Sequence, residues 1–331
     1  MMNLSIVLPT YNRLDRLQRV LTALENQTVA PDQFEVVVVS DGSSDGTNEW
    51  LKSAETPLNL KPHLQENQGV AVARNNGIKN ATGELVLFID DDVVPAPSLI
   101  EEHLKHHTAD NIVVLGPMLS PPDFEMNPWV EWEQAMLMKQ YNDMLDGKWE
   151  PTARQFYTGN TSLRRQHIVD AGGFDPSFRR AEDVELAYRL HDMGLKFIFN
   201  YEAVGWHYAE RSFNSWSAIP YAYGRNDVIF CNERGQKWLL PTIWKEFHGR
   251  HWLIRNMARL CLDRKPLSSA ALALFRSVGA AGATLNVDPL SRMAYSGIFN
   301  LRHYQGVADE LGGRQLFFAG VNNAHLHDDT W

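Results

Sequence analysis

The chain has 331 residues, 44% hydrophobic and 21% charged, the balance of a folded globular protein with length for about two domains. Its net charge of -9 excludes a general nucleic-acid binder, whose affinity comes from basic surface laid along phosphates. Two cysteines, Cys231 and Cys261, supply neither a disulfide framework nor a metal-ligand spacing. Each is expected as a small core residue in a reducing compartment.

The opening residues, Met1 to Pro9, carry no basic leader and no small-residue cleavage site, and read as a first strand rather than a signal peptide. No run approaches the ~18 apolar residues of a spanning helix, so the expected location is cytoplasmic. Short apolar runs then alternate with amphipathic stretches, as βαβ units do in a sheet covered on both faces. The runs are Ser5 to Leu8, Phe34 to Val39, a weaker Leu60 to Leu64, Leu85 to Ile89 and Ile112 to Leu115. Between them, Leu14, Leu17, Leu21 and Leu24 recur at helical spacing, and Val70 to Ile78 and Leu99 to His107 also read as helices. The expected class is α/β, with a mostly parallel sheet flanked by helices.

After Pro117, the prolines at 121, 122 and 128 mark a change of style. An aromatic stretch from Trp129 to Trp149 follows, then a helix from about Glu182 to Met193 stopped by Gly194, and a helical, basic part beyond about residue 235. The expected divisions are 1–117, 118–225 and 226–331, the last a helical extension.

Each early strand run is followed at once by a polar cluster: Pro9 to Arg13, Asp41 to Thr47, Asn67 to Gly69, and Asp90-Asp91-Asp92. The carboxyl ends of parallel strands share one edge of the sheet, where ligands bind, so the four clusters converge on one crevice. Three adjacent carboxylates repel one another unless a cation sits among them. All-oxygen ligands suit Mg2+ or Mn2+, with a substrate diphosphate filling the remaining positions. Read alone, the same run is also an ordinary solvated loop before Pro95.

These motifs do not stand alone. Val7-Leu8-Pro9-Thr10-Tyr11-Asn12-Arg13, Asp41-Gly42-Ser43-Ser44-Asp45-Gly46-Thr47, Asn67-Gln68-Gly69 through Arg74-Asn75, and Phe88 to Asp92 are followed by Thr158-Gly159-Asn160, Gly172-Gly173-Phe174-Asp175 and Glu182-Asp183 with Arg189-Leu190. In this order and spacing the sequence resembles the family 2 glycosyltransferases of the GT-A fold over most of residues 4 to 210. The resemblance implies that Pro9, Tyr11, Arg13 and Asp41 line a nucleotide base pocket, with Arg74 near it. It further implies that Asp91 lies on the ribose side and that Asp92 is the metal ligand of a DXD motif, the assignment within Asp90 to Asp92 being open by one position. Asp183 matches the catalytic base and Glu182 its neighbour. The implied donor is a nucleotide-diphosphate sugar, UDP being the commonest base, and the implied acceptor is a glycan, lipid-linked or free.

The chemistry agrees with that pattern. Sugar transfer needs a neutralised leaving diphosphate and a deprotonated acceptor hydroxyl, and one carboxylate base suffices for the second. Glu182-Asp183 opens a helix, where the macrodipole favours an ionised base. The same pair also reads as a helix cap with acidic first-turn residues. His207, after the run Phe197-Ile198-Phe199, resembles a late metal-site histidine, and it also reads as a hydrogen-bonded core histidine. Gly159-Asn160 and Gly172-Gly173 suit either close approach to a sugar or plain turns. Trp129, Trp132, Trp149 and Trp216 are expected in the core. His106, His107, His325 and His327 are expected at the surface.

From Lys245 to Arg276, seven basic residues face two acidic ones, a local charge of +5 that leaves -14 on the remainder. Leu253, Met257, Leu260 and Cys261 recur there at helical spacing beside Trp252, with Arg255 and Arg259 marking another face. The segment reads either as a helical cap on the catalytic part or as a peripheral membrane contact. Two other functions compete with transfer. A sugar nucleotidyltransferase wants a glycine-rich loop after the first strand, which Pro9 to Arg13 lacks; an inactive sugar-nucleotide-binding scaffold is expected to have lost its carboxylates, which are present.

Overall fold

The computed structural model describes residues 4–323. His325 and His327 lie outside the described residues. The chain divides into two compact units, one within residues 4–125 and 134–209 and the other within 126–133 and 210–323. The division expected at 225/226 falls inside a helix, Phe213–Glu233, so no linker lies there.

The first unit is built on β1 (Leu4–Thr10), α1 (Leu14–Glu25), β2 (Phe34–Asp41), α2 (Thr47–Ser53), β3 (Asn59–Gln65), α3 (Val70–Asn80) and β4 (Leu85–Ile89). It continues with β5 (Val93–Pro95), α4 (Leu99–Lys105), β6 (Ile112–Leu115) and β7 (Met118–Leu119). Next come α5 (Pro128–Leu145), which begins in the residues of the second unit, β8 (Asn160–Arg164), α6 (Arg165–Asp170), α7 (Glu182–Asp192), β9 (Lys196–Phe199) and β10 (Gly205–His207). Seven strands form one sheet in the order β3-β2-β1-β4-β8-β6-β9. All neighbours are parallel except β8, which runs antiparallel to both β4 and β6. A small second sheet has the order β5-β10-β7.

The five expected runs are all strands, and their residues explain why. Every residue of β1, β2 and β4 is buried, as unbroken β-branched and leucine runs require when both faces are covered. On α1, Leu17, Val20, Leu21 and Leu24 form the buried stripe. At Gly77 of α3, a Cβ would lie 2.5 Å from Val7 Cγ1, so glycine lets the helix sit flush on β1. Sequence periodicity did not show β8, whose Asn160-Thr161-Ser162 are polar yet buried. They are satisfied internally: Asn160 Nδ2 donates to the carbonyls of Pro117 (2.9 Å) and Ala203 (2.7 Å).

Beside β8 sits a buried histidine pair. His103 lies 2.9 Å from Ser162 Oγ and 2.8 Å from Asn160 Oδ1, and His107 lies 2.7 Å from the same Ser162 hydroxyl. This corrects the surface placement of His107: α4 and the residues after it close over β8, and the imidazoles complete its hydrogen bonding. Desolvation pushes both pKa values down to about 4, so the folded protein holds them neutral. An unfolded histidine titrates near 6.5 and takes up protons that the folded protein refuses, so this pair's share of stability is complete above that pH and is lost as pH falls toward about 4. Ring-proton NMR of the folded protein is expected to find both still neutral at about pH 5.5, where an unperturbed imidazole is mostly charged. Titration of either ring near 6.5 contradicts the burial.

The second unit contains α8 (Phe213–Glu233), α9 (Leu239–Gly249), α10 (Trp252–Cys261), α11 (Lys265–Thr284), α12 (Asp288–Leu311) and α13 (Arg314–Asn323). Close backbone approach joins α8 to α12: a Cβ at Gly306 would lie 2.0 Å from the Tyr221 carbonyl. Trp132, Trp216, Tyr295 and Ile298 form one buried cluster, while Trp129 and Trp149 are only half-buried. Cys231 and Cys261 are free and buried. On α10 the buried face is Ile254, Met257, Ala258 and Cys261, not the expected Leu253-Met257-Leu260-Cys261; both sets span an arc of about 100°, and it is the former that packs with Leu301, Tyr304 and Val307 of α12 in one core cluster. Leu253 and Leu260 point outward. No helix among the described residues is long and apolar enough to cross a membrane.

Candidate active site

The carboxyl ends of β1, β2 and β4 and the start of α3 enclose a cleft of about 390 Å³. Pro9, Tyr11, Arg13, Asp41, Arg74, Asp90, Asp91 and Asp92 all line it, eight of the eleven residues singled out from sequence. Glu182, Asp183 and His207 are not part of that lining. The first two are tied to it through Arg74, the third through Asp92.

Each polar cluster is held by another. Asn12 Oδ1 accepts from the Ser44 backbone N–H at 2.7 Å, and Ser43 Oγ accepts from the Asn12 N–H at 3.0 Å. Asp45 Oδ2 accepts the Leu14 N–H at 3.0 Å, supplying an acceptor for the open first turn of α1. The Asp41 carboxylate is fully engaged: Oδ1 accepts from Gln65 Nε2 (2.7 Å) and the Gln68 N–H (2.9 Å), and Oδ2 from the Gly69 N–H (2.8 Å). It shapes the loop after β3 into a wall of the cleft. Gly42 is required beside it, with φ +78° and space for a Cβ only 2.7 Å from the Asn67 nitrogen.

The three aspartates at the end of β4 have three different environments. Asp91 is buried; its Oδ1 pairs with Arg13 Nη1 at 2.7 Å and its Oδ2 accepts from Thr10 Oγ1 at 2.8 Å. Desolvation raises its pKa to about 6 despite Arg13. Asp92 Oδ2 lies 3.0 Å from Arg13 and 3.7 Å from Arg16, and its Oδ1 faces His207 Nε2 at 3.7 Å. His207 is held there by the small sheet, where it pairs directly with Val93. Asp90 points the other way, to Arg74 Nη2 at 2.7 Å.

Arg74 is the hinge of the arrangement. It is buried on α3, and its second nitrogen, Nη1, donates to Glu182 Oε1 at 2.7 Å. The flanking carboxylates hold it more firmly protonated than a free arginine. Sequence reasoning set Arg74 near the base pocket; the structure places it as the bridge from the strand-end aspartates to the Glu182-Asp183 pair.

That pair opens α7, but neither residue is its N-cap. The cap position is Ala181, left-handed at φ 58°, with no capping side chain, a conformation that costs a non-glycine residue about 1 kcal/mol. Asp183 Oδ1 accepts the adjacent Val184 N–H at 2.8 Å. Burial and the Glu182 carboxylate raise the Asp183 pKa, against the pull of Arg74. The dipole argument from sequence expected the opposite direction. A helix terminus contributes about 0.3–1 kcal/mol at an exposed site, less than burial beside a like charge takes away.

Two contributors escaped sequence reading. Thr10 ends β1 with its hydroxyl on Asp91, and Arg16, in the first turn of α1, follows the N-cap residue Arg13 by three residues, so that both guanidinium groups face Asp92. The i, i+3 spacing was the available signal for Arg16. Gly172 and Gly173 form the turn after α6, their φ values positive, with the Gly173 carbonyl held by Arg189 Nη2 at 2.7 Å. Gly159 borders the site: a Cβ there would come within 3.4 Å of Asp90 Oδ2.

Sequence comparison finds the pattern described as Glycosyl transferase family 2 over residues 5–173, half of the chain. The chain belongs to family 2 of the glycosyltransferases. Validoxylamine A glucosyltransferase of Streptomyces hygroscopicus subsp. limoneus is 35% identical over an alignment of 229 positions that covers 61% of this chain and 51% of that protein. An uncharacterized glycosyltransferase of Bacillus subtilis (strain 168) is 30% identical over an alignment of 256 positions that covers 62% of this chain and 64% of that protein. The chain thus spans between half and two thirds of these relatives. Among solved structures, a mannosyltransferase from Pyrobaculum calidifontis in complex with GDP-Man and Mn2+ matches with TM-score 0.62 at 21% identity, covering 91% of this chain and 86% of that one. S. aureus TarS 1-349 in complex with UDP matches with TM-score 0.55 at 21% identity, covering 94% and 92%. The family 2 fold is therefore the GT-A fold expected from the motifs.

Whether a divalent cation fits is decided by the donors present. Asp92 Oδ1 and His207 Nε2, an oxygen and an imidazole nitrogen 3.7 Å apart, suit Mn2+ better than Mg2+, which prefers oxygen ligands alone. Among the described residues no group of three or more His, Cys, Asp and Glu side chains is gathered for a metal. The pair fits a cation whose remaining positions are filled by substrate phosphate and water.

Proposed function

We propose that this family member transfers a sugar from a nucleotide-diphosphate sugar, UDP-linked in the first instance, to an acceptor hydroxyl with inversion at the anomeric carbon. The observation that carries the reading is the Asp90–Arg74–Glu182 bridge, which joins a nucleotide-sized cleft to a carboxylate pair with a raised Asp183 pKa. Tyr11, Pro9 and the Asp41-held loop wall one end of the cleft for the base. Asp91, fixed by Thr10 and Arg13, faces the ribose side. Asp92 and His207 hold the divalent cation, which when bound offsets the charge of the leaving diphosphate. Asp183 accepts the acceptor hydroxyl's proton as that oxygen attacks the anomeric carbon from the face opposite the diphosphate. The relatives' names, a glucosyltransferase among them, support a sugar donor, and the GDP-Man and UDP complexes of the structural neighbours support a nucleotide cleft. A glycan or lipid-linked hydroxyl is the acceptor class proposed.

The test is calorimetric titration with UDP, GDP and dTDP, each with Mn2+ and again with EDTA. One nucleotide binding only with the metal is the expected result; no binding to any of the three refutes the donor site. Asp92→Ala is expected to weaken Mn2+-dependent nucleotide binding at least about tenfold, the low end of what even outer-shell partners of a metal contribute. Unchanged affinity would move the metal elsewhere.

A further inference from the structure

The face of the second unit formed by α10 and α11 has a composition unlike the rest of this acidic chain. Between Glu246 and Asp288 the sequence has a single acid, Asp263, and its Oδ2 is already engaged by the Arg314 N–H at 2.5 Å. On α10, Trp252 and Leu260 are each 57% exposed, and Arg259 and Asn256 lie on the same outward side. Apolar and basic groups thus share the solvent face, while Ile254, Met257, Ala258 and Cys261 face the core.

The connection and the next helix extend this surface. Arg264 and Lys265 are exposed, followed by Leu267, Leu274 (63% exposed) and Leu285. Leu267, Ala270, Leu274, Ala281 and Leu285 recur at three, four, seven and four residues, a single exposed stripe without charge. The two helices pack on each other and on α12, so these exposed faces are the ones turned away from that packing.

We infer that the outward faces of α10 and α11 form a peripheral docking surface for an anionic lipid bilayer. Trp252, Leu253, Leu260 and Leu267 enter the headgroup boundary, while Arg259, Arg264 and Lys265 meet anionic headgroups. Charge complementarity selects this occupant. A second copy of the same face would set arginine against arginine with no acid to answer, whereas a bilayer supplies both negative charge and an apolar layer at matching depth. A tryptophan exposed among arginines suits the interface, where one end of the indole is apolar and the other wet. Neither α10 nor α11 is long and apolar enough to cross a bilayer, so the contact proposed for their outward faces lies on the membrane surface. This inference is independent of the chemistry proposed for the cleft.

The experiment is co-sedimentation of the full chain with phosphatidylcholine vesicles with and without about a quarter phosphatidylglycerol, at low and high salt. The expected result is partition to the anionic vesicles only, weakened by salt. Trp252→Ser with Leu260→Ser, both on exposed sites, is expected to lower partition at least tenfold with an unchanged melting curve and unchanged nucleotide titration; Arg259→Glu with Lys265→Glu is expected to abolish it. Failure of the native chain to sediment with anionic vesicles overturns the inference. So does equal partition of the Trp252/Leu260 variant, or a concentration-dependent dimer that this variant dissolves.

Discussion

Replacing Asp183 by asparagine is expected to lower the transfer rate by about 10²- to 10⁴-fold, the usual contribution of a positioned general base, while nucleotide affinity stays near that of the native chain. The amide keeps the size and can keep the hydrogen bond to the Val184 N–H, so loss of rate without loss of fold isolates the proton-accepting role. The pH profile gives a second, independent reading. Burial and Glu182 raise the Asp183 pKa, and a base works only when ionised, so the acid limb of the rate profile is expected above the ordinary carboxylate range of about 4. Activity rises with pH through that limb. Steady-state rates over a pH series, with donor binding followed in parallel, check both statements. A variant that turns over normally refutes the assignment, and an acid limb near 4 refutes the raised pKa.

The early strands and helices of the first unit were legible because their physical signals are local. β2 is a run of β-branched residues ending in an aspartate, and α1 shows leucines at helical spacing. Such elements announce themselves without knowledge of their neighbours. Asp90 to Asp92 stood out as candidates because three adjacent carboxylates at a strand end repel one another, and the structure places all three on the lining of the cleft. β8 was not legible, since the buried Asn160 and Ser162 side chains are satisfied by residues far along the chain, including His103 and Ala203. The same limit misplaced His107 and left the direction of the Asp183 shift wrong. Both depend on how much protein surrounds a group, which the order of residues does not state. On α10 the apolar count was right and the face was not, because Leu253 and Leu260 lie outside the arc that packs on α12.

Arg74 makes the strongest demand on the fold, and its replacement by methionine is expected to cost about 3 kcal/mol at neutral pH, the lower figure for leaving a buried ion pair uncompensated. The lower figure applies because Asp90 retains partial solvent contact, its side chain being 35% exposed. Methionine keeps the aliphatic stem and stops short of the guanidinium, so the main loss is the charge together with its hydrogen bonds to Asp90 and Glu182. Without the guanidinium, Asp90 and Glu182 lose their shared partner, and Asp183, whose pKa burial and Glu182 already raise, loses the pull that opposes that rise. A raised carboxylate means that the folded state binds more protons than the unfolded one, so stability of the variant falls as pH rises through about 4 and beyond. The deficit against the native chain is therefore expected to be small near pH 4 and full near pH 7. Arg74→Lys is expected to recover only part of it, since two nitrogens of one planar group reach Asp90 and Glu182, each at 2.7 Å, and an ammonium is a single point. Urea unfolding at both pH values checks the sign and the size. In the lysine variant the Asp183 pKa loses part of the opposing pull of Arg74, so the acid limb of its rate profile is expected to move to higher pH than in the native chain. An unfolding deficit that is the same at pH 4 and pH 7 would mean that Arg74 acts by packing over Phe174, 5.6 Å from its guanidinium carbon, and not as the bridge between donor cleft and base.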